Sequence, residues 1–393
     1  MPTKQTAAPP DLEELLGRVR SFVDAEVIPR EQQDLWAHPD RLDEVRRELQ
    51  AIARERGIYL PHLPVELGGL GLNWRDTAAV LEEAGRSLLG PRSLNAAAPD
   101  DGNMRTLNHL ATPAQRERYL LPLMAGEARS CFAMTEPAPG AGSDPGLLRT
   151  SAERRGGRWV INGRKWFITG ADGAAFAIVL ARTPGGATMF LVDASHPGYR
   201  LGRAIPTIDS FSPGGHSELE FVDCEVGDDA VLGEVDRGFE HAQYRLAPAR
   251  LTHCMRWLGA AVRATEIAQR YVTQRESFGR KLSEHQAVQT LIADSHIDVL
   301  AARAMIAHAA ARLDALPPTK VKHESSMTKV FVSEAVHRVI DRAVQVCGGW
   351  GTTEESMLAH LYRDARPFRI YDGANEVHRA SIARRVLARG TRP

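Results

Sequence analysis

The stretch "GGRWVINGRKWFITG", residues 156–170, decides how the rest of the chain is read. It is rich in aromatic and β-branched residues, opens on paired glycines and shows no 3.6-residue apolar period, so it reads as strand. Runs of the same kind follow it: "FAIVLART" (176–183), "ATMFLVDA" (187–194) and "SELEFVDCEV" (217–226), each bounded by Gly, Pro, Asn or Asp. Short strands in succession predict a small β-barrel or sandwich over residues 129–236. The Asn162–Gly163 pair predicts a hairpin turn within "WVINGRKW".

Outward from this block the texture is helical. "LEELLGRVRSFVDAEVI" (12–28) and "DTAAVLEEAGRSLL" (76–89) carry apolar residues at i, i+3, i+4 spacing, with the Gly-rich loop "LPVELGGLGLN" between them. Downstream, residues 249–279 and 284–315 each predict one long helix. The "PPTK" break at 317–320 precedes a third, "ESSMTKVFVSEAVHRVIDRAVQVCGG". The expected organisation is therefore an α+β multidomain chain: a short disordered lead at 1–10, a helical domain at 11–128 with Asp11 as its first N-cap, a β domain at 129–236 and a helical bundle at 237–393.

Composition removes several function classes. Forty-nine basic and 49 acidic residues leave no net charge, and so no overall field for nucleic acid or anionic lipid. No run of about 18 apolar residues is present to span a bilayer. Cys131, Cys224, Cys254 and Cys347 are far apart and form no CxxC, which points to a reducing, cytoplasmic setting without a disulfide framework or zinc site. No GxGxxG lies between a strand and a helix, "HESSM" lacks the second histidine of HExxH, and Ser143, Ser210 and Ser212 lie outside any GxSxG elbow.

One acid stands out near the C-terminus, in "RPFRIYDGANEVHRASIARRVL" (366–387). Asp372 lies between Tyr371 and Gly373, ahead of a helix. By itself such a residue is a turn-former or helix cap. Four other stretches change that reading: "CFAMTEPAPGAGSD" (131–144), "INGRKWFITG" (161–170), "QRESFGRKLSEHQAVQ" (274–289) and "QVCGGWG" (345–351). Together with "YDGANEVHR" (371–379), and in this order over nearly the whole chain, they resemble the motifs of the acyl-CoA dehydrogenase family.

The resemblance implies a helical domain, a β domain and a four-helix bundle, with FAD as cofactor. It assigns Met134, Thr135, Phe167 and Thr169 to the flavin ring, and Arg275, Phe278, Gln286, Gln345, Gly348 and Gly349 to the pyrophosphate and adenosine. Some of these contacts reach a neighbour's flavin in the family, which implies a homodimer or a dimer of dimers. Ser143 and Arg250 are carried over as substrate contacts, and Asp372 with Gly373 as the catalytic pair. The implied reaction is α,β-dehydrogenation of an acyl-CoA, or acyl-carrier, thioester to the trans-2-enoyl product, with electron-transfer flavoprotein as acceptor. Two departures are visible. The family's usual acid is Glu, which another branch carries at the position of Ala249; Asp occurs in relatives joined to a kinase-like domain and in nitroalkane oxidase. The "TEPAPGAGSD" loop is also two residues longer than the common form, which unsettles the mapping of Ser143 and Asp144. Competing readings are an oxidase of nitroalkanes or acyl thioesters, a non-enzymatic subunit, and a flavin monooxygenase of the same fold.

Overall fold

The computed structural model describes residues 11–31, 35, 38–209 and 214–388; the expected lead at 1–10, together with Ser210 and Ser212, lies outside them. The chain forms two compact units, one from Met1–Ala96 with Arg250–Pro393 and one from Ala97–Ala249.

In the first unit the opening helix, Leu12–Phe22, is capped by Asp11, whose carboxylate accepts the Glu14 N–H at 3.0 Å. Helices Pro39–Glu55 and Trp74–Ala84 follow, the latter capped by Asn73. The bundle is built from the long helix Gly238–Gln274, of which residues 250–274 belong to this unit, with Gln286–Ala315, Lys322–Gly351, Met357–Ala365 and Asn375–Ala388. Its buried interior includes Leu251, Met255, Leu258, Ile306, Val332, Val336, Ile340 and Phe368.

Two glycines set one close approach. A Cβ at Gly259 would stand 2.0 Å from the Glu82 carbonyl oxygen, and one at Gly85 would stand 2.1 Å from that of Arg256. Backbone cannot retreat as a flexible side chain can. Gly259→Ala is therefore expected to destabilise the fold by about 1–3 kcal/mol, the usual effect of overpacking, read as a lower urea midpoint at unchanged slope.

The second unit carries one eight-stranded mixed sheet: β1 (Ser130–Ala133), β2 (Ser151–Arg155), β3 (Arg158–Thr169), β4 (Phe176–Thr183), β5 (Gly186–Asp193), β6 (Tyr199–Ala204), β7 (His216–Val226) and β8 (Val231–Leu232). Its order is β6-β7-β3-β2-β4-β5-β8, with β1 added parallel to β4. Cys131, Ala152, Ile161, Val179, Phe190 and Phe221, from six different strands, share one apolar core.

The hairpin expected at Asn162–Gly163 is not there. β3 runs straight through the pair, and the turn falls at Gly156–Gly157, both at positive φ, between β2 and β3. Asn162 and Gly163 are absorbed by a register shift against β7. The Asn162 side chain accepts the Asp223 N–H at 2.8 Å, and a Cβ at Gly163 would meet Thr150 Oγ1 at 2.5 Å. A bulge and a hairpin draw on the same residue types. All four cysteines are free and buried, Cys131 and Cys224 in the second unit, Cys254 and Cys347 in the first. No described helix is long and apolar enough to cross a membrane.

Candidate active site

Asp372 sits in the turn between Phe368 and the helix Asn375–Ala388, at φ +54, with Gly373 next to it at φ +99. Asp tolerates this left-handed backbone better than most side chains, and Gly adopts it freely. Donors from three helices hold the turn. Arg250 Nε donates to the Asp372 carbonyl at 2.8 Å, Lys329 Nζ donates to the Gly373 carbonyl at 2.8 Å, and His378 Nε2 lies 3.2 Å from the Asp372 carbonyl. Lys329 also donates to Asn375 Oδ1 at 2.8 Å, and Trp257 Nε1 donates to the Tyr371 hydroxyl at 2.5 Å.

With the carbonyls occupied, the groups that face outward from the turn are uncommitted. Asp372 Oδ2 is buried and has no hydrogen-bond partner among the described residues; His253 Nε2 is 3.4 Å away. The backbone N–H groups of Asp372 and Gly373 likewise have no partner among the described residues. Burial brings the Lys329 ammonium down to about 8 and the His378 imidazole down to about 4. A carboxylate oxygen and adjacent free N–H groups in one turn are what proton removal next to a hydrogen-bonded carbonyl requires.

In the second unit, Met134 and Thr135 follow β1, while Phe167 and Thr169 end β3. A buried ion pair joins the two segments. Lys165 Nζ donates to Glu136 Oε1 at 2.9 Å, to the Met134 carbonyl at 3.1 Å and to the Leu180 carbonyl at 2.8 Å. Glu136 in turn accepts the N–H groups of Ala141, Arg149 and Thr150 at 3.1, 2.7 and 2.8 Å, so one carboxylate closes the whole longer loop. Burial alone would raise the Glu136 carboxyl, but Lys165 and the Thr150 N–H hold it at about 2. Above the pair the Trp166 N–H donates to the Thr135 carbonyl at 3.0 Å, and Phe167 is turned out at φ +52. Thr169 Oγ1 lies 3.0 Å from His216 Nδ1, whose Nε2 lies 2.9 Å from Asp209 Oδ2. Ser143 is exposed in the loop.

The remaining candidates lie in the first unit. Arg275 leads into a two-stranded hairpin, Glu276–Ser277 with Arg280–Lys281, whose tip holds Phe278 at φ +53 and Gly279 at φ +79. Phe278 is 94% exposed. Gln286 opens the helix Gln286–Ala315, and Gln345 lies in the last turns of Lys322–Gly351 before Gly348 breaks the helical path at φ +59, ψ −145. Beside Gly348 and Gly349 the space is open. The side chains of Arg275, Gln286 and Gln345 are exposed and make no hydrogen bond or ion pair among the described residues. Exposed, unused donors beside glycines fit an anionic, extended ligand such as a dinucleotide.

His253, Lys329, Glu136, Lys165, His216 and Asp209 were not singled out from sequence. For Lys165 a signal existed: it falls on the inward register of β3 with Trp159 and Ile161, and a charge there needs a buried partner. His216 reaches Thr169 only through the β3–β7 register, which the sequence does not display.

Models of the acyl-CoA dehydrogenase N-terminal, middle and C-terminal domains match residues 9–127, 131–224 and 236–387. A solved structure of a putative acyl-CoA dehydrogenase from Mycobacterium abscessus is 36% identical, with a TM-score of 0.90 over 97% of this chain and 99% of that one. The chain belongs to the acyl-CoA dehydrogenase family. Among its relatives, acyl-CoA dehydrogenase family member 11 of Gallus gallus is 38% identical over 95% of this chain. The chain spans about half the length of that relative, 50%. A glutaryl-CoA dehydrogenase from Mycobacterium smegmatis, solved in complex with FADH2, is 25% identical with a TM-score of 0.84, over 96% of this chain and 95% of that one.

Proposed function

We propose that the chain is an FAD-dependent acyl-CoA dehydrogenase in which Asp372 removes the α-proton of an acyl-CoA thioester to give the trans-2-enoyl product. The observation that carries the reading is the buried Asp372 Oδ2, which has no hydrogen bond among the described residues, beside the N–H groups of Asp372 and Gly373, which have none there either. Those N–H groups would receive the thioester carbonyl oxygen and favour enolate character, which acidifies the α-carbon. Arg250 and Lys329 hold the two carbonyls of the turn, so it would present its N–H groups and carboxylate without rearranging. Glycine is needed at 373, where a Cβ would stand 2.8 Å from His378 Nε2 and φ is +99. FAD, when bound, supplies the acceptor for the β-hydride.

Met134, Thr135, Phe167 and Thr169 would meet the flavin ring, and Arg275, Phe278, Gln286, Gln345, Gly348 and Gly349 the pyrophosphate and adenosine. Ser143 and Arg250 are the proposed substrate-side contacts. Electron-transfer flavoprotein is the proposed acceptor, a homodimer the minimum assembly and the cytoplasm the proposed setting. The division at residues 11–128, 129–236 and 237–393 is retained as the proposed domain scheme. The test is bleaching of the flavin under nitrogen across a panel of acyl-CoAs. A yellow protein that no acyl thioester bleaches would sink the reading.

Arg275→Ala should separate cofactor retention from chemistry. A guanidinium grips a pyrophosphate through two donors, and alanine offers none. The variant is expected to release FAD on dialysis, measured by absorbance per chain, whereas an exposed arginine with no such role would change stability by no more than about 0.5 kcal/mol.

A further inference from the structure

We infer that His253 is a positioning residue for Asp372, its Nε2–H holding carboxylate oxygen Oδ2 and favouring the ionised form of the base. The inference deepens the proposed function and rests on Asp372 being that base. His253 lies on the helix Gly238–Gln274, between Arg250 and Arg256. Arg256 Nη2 stands 3.1 Å from His253 Nδ1. A guanidinium only donates, so Nδ1 is the acceptor and the ring proton belongs to Nε2. Arg256 is itself fixed by donating to the Ala96 carbonyl at 2.9 Å. The imidazole is flanked by the rings of Tyr371 and Phe368, with centroids at 4.7 and 5.9 Å. Its Nε2 lies 3.4 Å from the buried Asp372 oxygen Oδ2, which has no hydrogen-bond partner among the described residues. A small rotation of the ring, with a closure of a few tenths of an ångström, completes the bond, and such contacts align and tighten when substrate arrives.

The other charged and titratable groups around the turn do not perform this task. Arg250 and Lys329 donate to backbone carbonyls. Lys329, brought to about 8 by burial, titrates on the alkaline side, and His378, brought to about 4 by burial, stays neutral above that. Burial pushes the Cys254 thiol up, so it stays protonated. Tyr371 shares its hydroxyl with Trp257, and Glu376 lies in the first turn of the last helix. The positioning donor for the carboxylate is left to His253.

The test compares His253→Phe, His253→Gln and His253→Asn in the flavin-loaded protein. Isotope-edited infrared spectroscopy without substrate follows protonation of the Asp372 carboxylate, with Asp372→Asn as the blank. The pH profile of anaerobic flavin bleaching by acyl-CoA is the second readout. His253→Phe keeps the ring packing and loses the donor; it is expected to move the carboxyl midpoint and the acid limb of bleaching up together by about one pH unit, tenfold in ionisation. His253→Gln keeps a donor near Nε2 and should titrate like wild type. His253→Asn, too short to reach, should shift like the Phe variant, and serves in its place if Phe fails to fold. A wild-type titration in both donorless variants, or a Gln variant shifted as far as Asn, overturns the proposal. If wild type bleaches with no acyl thioester, the proposed activity falls, and the infrared titration still decides the role of His253.

Discussion

Asp372→Asn is expected to keep its flavin and bind acyl-CoA while reducing the flavin ~10²–10⁴-fold more slowly, the usual loss for a positioned proton acceptor. Asparagine also tolerates a φ of +54, so the turn and its free N–H groups persist and only the proton acceptor is lost. Single-turnover bleaching in a stopped-flow under nitrogen measures it, and a wild-type rate would return Asp372 to the role of a turn residue. Asp372→Glu restores the chemistry with a longer arm. Glutamate is less at ease in left-handed backbone, and its carboxylate would be carried past His253 Nε2. A base so displaced can lose ~10²-fold, so the usual acid of the family is expected to perform worse here than the native one.

Lys165→Met should be the most destabilising of the substitutions considered. It leaves the buried Glu136 carboxylate without its counter-charge, a change that typically costs about 3–5 kcal/mol. Glu136→Gln in the same chain should recover part of this, because no uncompensated charge remains. The pH dependence carries a further check. The folded Glu136 carboxyl stands at about 2 against an ordinary 4.5. Its contribution is therefore complete above about 4.5 and is lost as pH falls through the folded value. Without Lys165 burial raises that carboxyl and removes the contribution. The deficit of Lys165→Met in chemical denaturation should thus be largest near neutral pH and shrink on acidification. Flavin affinity should fall with it, since the pair holds the Met134 carbonyl and the loop after it.

The helix–strand–helix order was legible because period and punctuation differ sharply between residues 12–89, 156–226 and 249–349. Asp11 was legible as a cap because capping is local. Asn162–Gly163 misled because turn chemistry is shared between hairpins and bulges, and only the partner strand decides between them. Asp372 was reached through resemblance; nothing local separates a base from a turn-forming aspartate. What makes its environment unusual is assembled from Arg250, His253, Lys329 and His378, more than a hundred residues apart at the extremes, on three different helices. Contacts of that separation leave no periodic trace.

The four buried thiols give the molecule two built-in clocks. Each unit holds a pair, Cys131 with Cys224 and Cys254 with Cys347, and none is available to a reagent until its surroundings open. Alkylation timed against mass, in the wild-type chain and without any introduced probe, therefore records the opening of each unit in its own channel. The order in which the two pairs acquire label would show whether the sheet or the bundle yields first, and whether adding FAD slows one clock or both.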